Sequence, residues 1–214
     1  VGSVVSGPCP FIAVLGWLAA GTLSLSLAAQ TAAPRVRAEF RTASRPLITQ
    51  PVDRNRLVTT TGAVHRDAAA AQDLGARDPS VPLEHIQLML QRAPERQAAF
   101  DAEVEALHRR GDPSYHQWLT PELIGAEFGP SESDIAALTS YLQSEGFTVN
   151  TVGKSRMFVD FTGTVGQVQQ SFHTEIHNLR FATGEQRYSA VRDAQLPEAL
   201  APLVAGFLSI SNIP

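Results

Sequence analysis

The chain has 214 residues, 43% of them hydrophobic, and a formal net charge of −4 at pH 7. That length and apolar share suit one ordinary domain with flanking segments, and they exclude a wholly disordered chain. The acidic balance removes the electrostatic case for nucleic acid or another polyanion, and the near-absence of lysine beside arginine (Lys154 is the only one) reads as composition bias, not as a phosphate-binding surface.

No charged side chain precedes Arg35, and Phe11 to Ala29 is a run of nineteen almost purely apolar and small residues. With Ser26 and Ala28 forming an A-x-A-like cleavage site, this pattern predicts an export signal over residues 1–33 and a secreted, extracellular product without a membrane segment after cleavage. An uncleaved anchor is the alternative, because nineteen residues also suffice to span a bilayer. The chain starts at Val1 with no basic stretch before the apolar run, so the true amino terminus is expected to be missing. Cys9, the one cysteine, lies in this segment, so its removal would leave no thiol for a disulfide or a thiolate zinc site.

Residues 34–56 mix Arg, Pro, Thr and Gln without an apolar period and are expected to be a solvated, disordered linker. Residues 57–82 read as an amino-terminal arm. Within it Leu57 to His65 is β-branched enough for an edge strand or for an arm laid across a partner, and Ala68 to Pro82, punctuated by Gly75 and Pro79, is a connector.

The compact domain is expected over residues 83–210. Ile86, Leu88 and Leu90 alternate on one face of a strand opening at Leu83. A helix follows from Pro94, a residue suited to the first turn, with Phe100, Val104 and Leu107 as its buried stripe, and Gly111-Asp112-Pro113 ends it. Ser131-x-x-Asp134 signals a second helix with Ile135, Leu138 and Leu142 on one face and Gly146 at its carboxyl end. Phe147 to Val152 and Arg156 to Thr162 form a hairpin around Gly153-Lys154-Ser155, with Phe147, Val149, Met157, Val159 and Phe161 pointing inward. Thr164 and Gln167 make a capping box for a third helix whose core face is Val165, Val168 and Phe172. Strands at Glu175 to Phe181 and Arg187 to Val191 follow, and Val204 to Ile210 returns to the sheet. This order predicts an α+β fold: a ferredoxin-like sandwich, a mostly antiparallel sheet with helices packed on one face.

Few constellations carry chemistry. His173 and His177 could share a metal on a helix, but the strand expected from Thr174 onward separates them by roughly 13 Å, so no metal ligands are assigned. Glu175 and His177 then read as sheet-surface polar groups, or as a surface that gains positive charge below about pH 6.5 and loosens a partner. No G-x-S-x-G, H-E-x-x-H, dinucleotide fingerprint or Walker loop is present, so no catalytic or cofactor-binding residue is expected. Tyr115, His116 and Trp118 form the densest aromatic group. They read as a plug over one end of the core, as a contact patch for another domain, or as both at once.

The stretches Tyr115-His-Gln-Trp-Leu-Thr-Pro121, Phe128-Gly-Pro-Ser131, Gly146-Phe-Thr-Val149, Phe161-Thr-Gly163, Val168-Gln-Gln-Ser-Phe-His173, Leu196-Pro197 and Val204-Ala-Gly206, in this order, resemble the pro-kumamolisin activation domain, the propeptide of the sedolisin family of serine-carboxyl peptidases. The likeness runs from about Leu57 to the end. It implies a non-catalytic domain that assists folding of a subtilisin-like catalytic domain in the same precursor and masks its cleft until acid pH triggers autocatalytic removal. The family's catalytic glutamate, aspartate and serine belong to a domain that would follow Pro214, with residues 211–214 opening the linker to it. Calcium, often bound by that catalytic domain, is not expected here. A stand-alone secreted inhibitor or protein-binding module is the alternative. Tyr115, His116, Trp118, Glu175 and His177 are the candidate interface or pH-sensing residues.

Overall fold

The computed structural model describes residues 44–214, so the expected export signal and the first part of the linker lie outside the described residues. The centre of the fold is β3 (Pro82–Leu90), which pairs antiparallel with β5 (Phe158–Thr164) on one side and β9 (Val204–Leu208) on the other. With β4 (Thr148–Val152) outside β5, the sheet runs β4-β5-β3-β9. Numbered by their own order, these four strands lie 2-3-1-4, the antiparallel arrangement of a split βαβ sandwich, in line with the α+β fold expected from the order of strands and helices. Ile86 and Leu88 are fully buried and Leu90 nearly so. The register shifts between Leu83 and Ile86, where His85 takes a left-handed φ of 55°, so Leu83 also reaches the core.

Two connections cross the sheet. The first contains α1 (Pro94–His108), α2 (Pro121–Phe128) and α3 (Glu132–Ser144); the second begins with α4 (Val165–Ser171). Each of the last three starts on a side-chain cap, from Thr120, Ser131 and Thr164, and Thr164 forms the full box with Gln167. At the end of α3 the chain reverses at Gly146, φ 86°, where Phe147 N–H returns to Leu142 O at 3.1 Å. Leu138, Tyr141 and Leu142 of α3 and Val165 and Val168 of α4 join the main core. Burial beside Glu145 pushes the Tyr141 hydroxyl well above its ordinary titration range, so it stays protonated and donates to Ser171 O at 3.3 Å.

Phe172 gathers the core. Its ring stacks on Phe147 at 5.4 Å and meets Phe161 and Phe207 edge-on at 6.2 and 4.8 Å, joining the entrance of β4, the middle of β5 and the last strand. The remaining strands build two smaller sheets. β6 (Ile176–Arg180) and β7 (Gln186–Ala190) form the expected hairpin, and β1 (Leu57–Thr59) pairs with β8 (Gln195–Pro197).

Several expectations are corrected. The connector at 68–82 contains a strand, β2 (Gln72–Ala76), paired antiparallel with β6; pairing supplied by a distant strand outweighs its weak local propensity. The edge strand in the arm docks on this domain's own β8. Residues 47–56 are not a solvated linker: Leu47, Ile48 and Val52 pack against the core, and backbone N–H groups at 47 and 48 find a buried carboxylate. Likewise 211–213 are tied down, with Asn212 and Tyr188 exchanging hydrogen bonds at 3.1 and 2.6 Å.

In α1 the buried face is Arg96, Ala99, Glu103, Ala106 and Leu107, while Phe100 and Val104 are only half-buried. The Phe100 ring lies under the Arg92 guanidinium, 4.2 Å away, and edge-on to Phe128 at 5.5 Å. Together with Ala99, Leu119 and Leu123 these rings make a satellite core beside the main one, which takes no residue from α1 or α2.

Phe172→Ala is expected to destabilise the domain by about 3–5 kcal/mol, whereas Thr164→Ala, which removes only a helix cap, should cost about 1 kcal/mol. Urea unfolding followed by circular dichroism checks both, and equal losses would contradict the central place given to the Phe172 ring.

Candidate functional site

The aromatic group sits on the turn that closes α1. Asp112 starts it by accepting Ser114 N–H at 2.9 Å, and Tyr115 N–H returns to Asp112 O at 3.0 Å. His116 has a left-handed φ of 59° and its N–H reaches back to Leu107 O at 3.0 Å. This reversal puts successive rings on one side. Tyr115 stacks on His116 with centroids 3.8 Å apart, His116 lies nearly parallel to Trp118 at 5.5 Å, and His108 from the end of α1 meets Trp118 edge-on at 5.5 Å. The result is a short ladder of rings with Trp118 at its open end, 61% exposed.

Neither Tyr115 nor Trp118 belongs to a core cluster, and the residue of this segment that turns inward is Leu119, which packs on the satellite core. An exposed indole set against neighbouring rings is the type of group that contributes strongly to protein interfaces, because it offers a large surface with few rotatable bonds. The ladder is anchored to the sheet through α2. Gly125 comes so close to the β4–β5 turn that a Cβ there would lie 2.2 Å from Lys154 O, and Lys154 Nζ pairs with Glu122 at 2.8 Å. That pairing holds the Glu122 carboxyl below and the Lys154 ammonium above their usual ranges.

Glu175 and His177 lie elsewhere, at the start of β6, and no hydrogen bond, ion pair or ring contact joins them to the aromatic ladder among the described residues. His177 Nδ1–H donates to Asp73 Oδ2 at 2.8 Å and Oδ1 at 2.9 Å, across the β2–β6 pair. Its Nε2 faces Glu175 at 3.8 Å, and Glu175 also pairs with Arg192. The Gly75 N–H, and then His177, hold the Asp73 carboxyl below the ordinary carboxylate range. The imidazole is therefore set between two acids. His173 ends α4 at φ 47° and takes no part in this cluster.

Sequence reasoning missed Asp73, since Gln72-Asp-Leu-Gly-Ala has no apolar alternation to announce a strand. It also missed a polar group on β3, β4 and β5. Asp160, buried, accepts from His85 Nδ1 at 3.1 Å and from Asn150 Nδ2 at 2.6 Å, and Asn150 reaches Thr162 Oγ1 at 2.8 Å. The alternation placing Asp160 opposite the apolar Val159 and Phe161 was visible, but the bulge at His85 that brings the imidazole over it was not.

Residues 69–213 match the family model for the activation domain of pro-kumamolisin. The chain is 29% identical over 154 residues to xanthomonalisin from Xanthomonas sp. (strain T-22) and 26% identical over 163 residues to sedolisin from Pseudomonas sp. (strain 101). Those alignments take in 72% and 76% of this chain, yet it spans only 18% and 27% of the length of these relatives. A family match that covers the whole split βαβ sheet, its two crossings and the aromatic ladder leaves one assignment: the chain belongs to the pro-kumamolisin activation domain family.

Proposed function

We propose that the chain is the propeptide of a secreted serine-carboxyl peptidase of the sedolisin type. It assists folding of a subtilisin-like catalytic domain in the same precursor, masks its cleft, and is removed by autocatalytic proteolysis at acid pH. The observation that carries the reading is the family match over 69–213, which spans both crossings of the sheet. The ladder of Tyr115, His116 and Trp118, half-buried at Tyr115 and exposed at His116 and Trp118, supports it as the contact surface. A tethered inhibitor sees its enzyme at an effective concentration of about millimolar, so modest affinity suffices until the tether is cut.

Protonating His177 puts a cation between Asp73 and Glu175, which strengthens the link between β2 and β6 instead of loosening it. The link weakens when its carboxylates become neutral. Asp73, whose carboxyl is held low in the folded state, contributes stability that is present above the ordinary carboxylate range and is lost as pH falls through the depressed value. Release governed by this cluster therefore belongs to strongly acid solution.

The separately expressed domain, mixed with its catalytic domain, is expected to inhibit at neutral pH and to let go in acid; equal inhibition at both would defeat the reading. Trp118→Ala is expected to weaken inhibition by roughly 30-fold, about 2 kcal/mol, at unchanged melting temperature. An unaltered inhibition constant would move the interface away from the ladder. Protection of the β2 and β6 amides, taken as exchange relative to the unstructured rate at each pH, is expected to hold at neutral pH and to fall in strong acid as the Asp73 carboxylate is neutralised, and Asp73→Asn should abolish that acid-dependent step; protection that does not change with pH in the unaltered chain would remove Asp73 from control.

A further inference from the structure

Upstream of the family-matched residues, the chain from Leu47 to Arg56 lies along α3 and is fastened at both ends of that helix. At the amino end Asp134, fully buried, accepts Leu47 N–H through Oδ2 at 3.0 Å and Ile48 N–H through Oδ1 at 2.8 Å. The Ser131 hydroxyl donates to the same Oδ2 at 2.7 Å, so both carboxylate oxygens are committed and their direction is fixed by the helix cap. At the carboxyl end Arg54 Nε pairs with Glu145 at 2.9 Å, and its Nη2 donates to Ser144 Oγ at 2.8 Å and Ser144 O at 3.3 Å. Negative charge at the start of a helix and positive charge at its end both follow the helix dipole. Between the clips Leu47, Ile48 and Val52 are half-buried on the main core, while most other residues of the stretch stay exposed. Beyond Asp53 an open groove of about 410 Å³ separates the stretch from the turn at Glu198 and Ala199, and Arg56 Nη2 bridges to Glu198 at 2.7 Å.

We propose that residues 47–56 are a strap that opens as one unit, with Asp134 as its latch, and that the closed strap withholds the arginine-rich run Asp53-Arg54-Asn55-Arg56 from proteolysis. A protease draws several consecutive residues in extended form into its cleft, and a run held at Glu145 and Glu198, in a strap fastened upstream at Asp134, cannot be drawn out without opening the strap. The latch is the decisive clip because it satisfies two consecutive main-chain donors with one buried carboxylate. Apolar contact at Leu47, Ile48 and Val52 is too shallow to hold the segment once those donors lose their acceptor. The strap stands on the fold alone and does not depend on the propeptide reading.

Limited trypsin digestion of the full chain, with fragment masses, and amide exchange at Leu47 and Ile48 test it. In the unaltered chain cleavage after Arg54 and Arg56 is expected to be slow and the two amides protected. Asp134→Ala is expected to accelerate both cuts at least about tenfold and to release both amides, while amides of β3 remain protected; Asp134→Asn, which keeps one acceptor oxygen, should fall between. Ile48→Pro, which removes one donor from the strap and leaves α3 untouched, should accelerate the same cuts, and this separates latch loss from collapse of the helix. Fast cutting of the unaltered chain overturns the proposal. So does slow cutting in both Asp134→Ala and Ile48→Pro, or cutting that rises only in step with exposure of β3.

Discussion

The fold depends on one ring. Phe172 stands at the end of α4, where the second crossing turns back, and it touches aromatic side chains from the entrance of β4, from β5 and from β9. A split βαβ sheet interleaves strands distant in sequence, and its order holds only if something ties the outer pair to the inner pair. Here that tie is dispersion and area burial among four phenylalanines, with edge-on and stacked geometries that favour one arrangement over its near neighbours. The capping box at Thr164 sets where α4 begins, and so where Phe172 falls. Local hydrogen bonding thus fixes the position of a long-range contact.

Much of this was legible because period and punctuation agreed. Ile86, Leu88 and Leu90 alternate in sequence and are buried in the structure, and Ser131, Gly146 and Thr164 mark helix ends by chemistry that does not need tertiary context. What escaped was structure supplied from far along the chain. β2 has no strand signal and exists because β6 offers it an edge. Residues 47–52 look like a polar linker because their two key donors are main-chain groups, invisible to any reading of side chains, and their acceptor lies more than eighty positions away. α2 was signalled by Thr120-Pro121-Glu122, a cap followed by a first-turn proline and an acid, but its brevity hid it between two longer helices.

The candidate residues divide in the same manner. The aromatic ladder was found as a cluster because it is contiguous, yet only the left-handed turn at His116 shows why the rings stand outside the core instead of closing it. Glu175 and His177 were found as a pair, but the carboxylate that His177 bonds to most closely is Asp73, on the strand that had no signal. One of these histidines lies between acids and the other among rings, and sequence alone cannot tell one setting from the other.

Lys154 carries the only side-chain amine in the sequence, and it sits at the tip of the β4–β5 turn facing Glu122. Any reagent selective for primary amines on side chains therefore addresses one point, the joint between the sheet and the short helix that supports the ladder. Acylation there would erase the positive partner of Glu122 while leaving every ring in place, and a fluorophore attached at the same atom would report on the contact between the β4–β5 turn and α2.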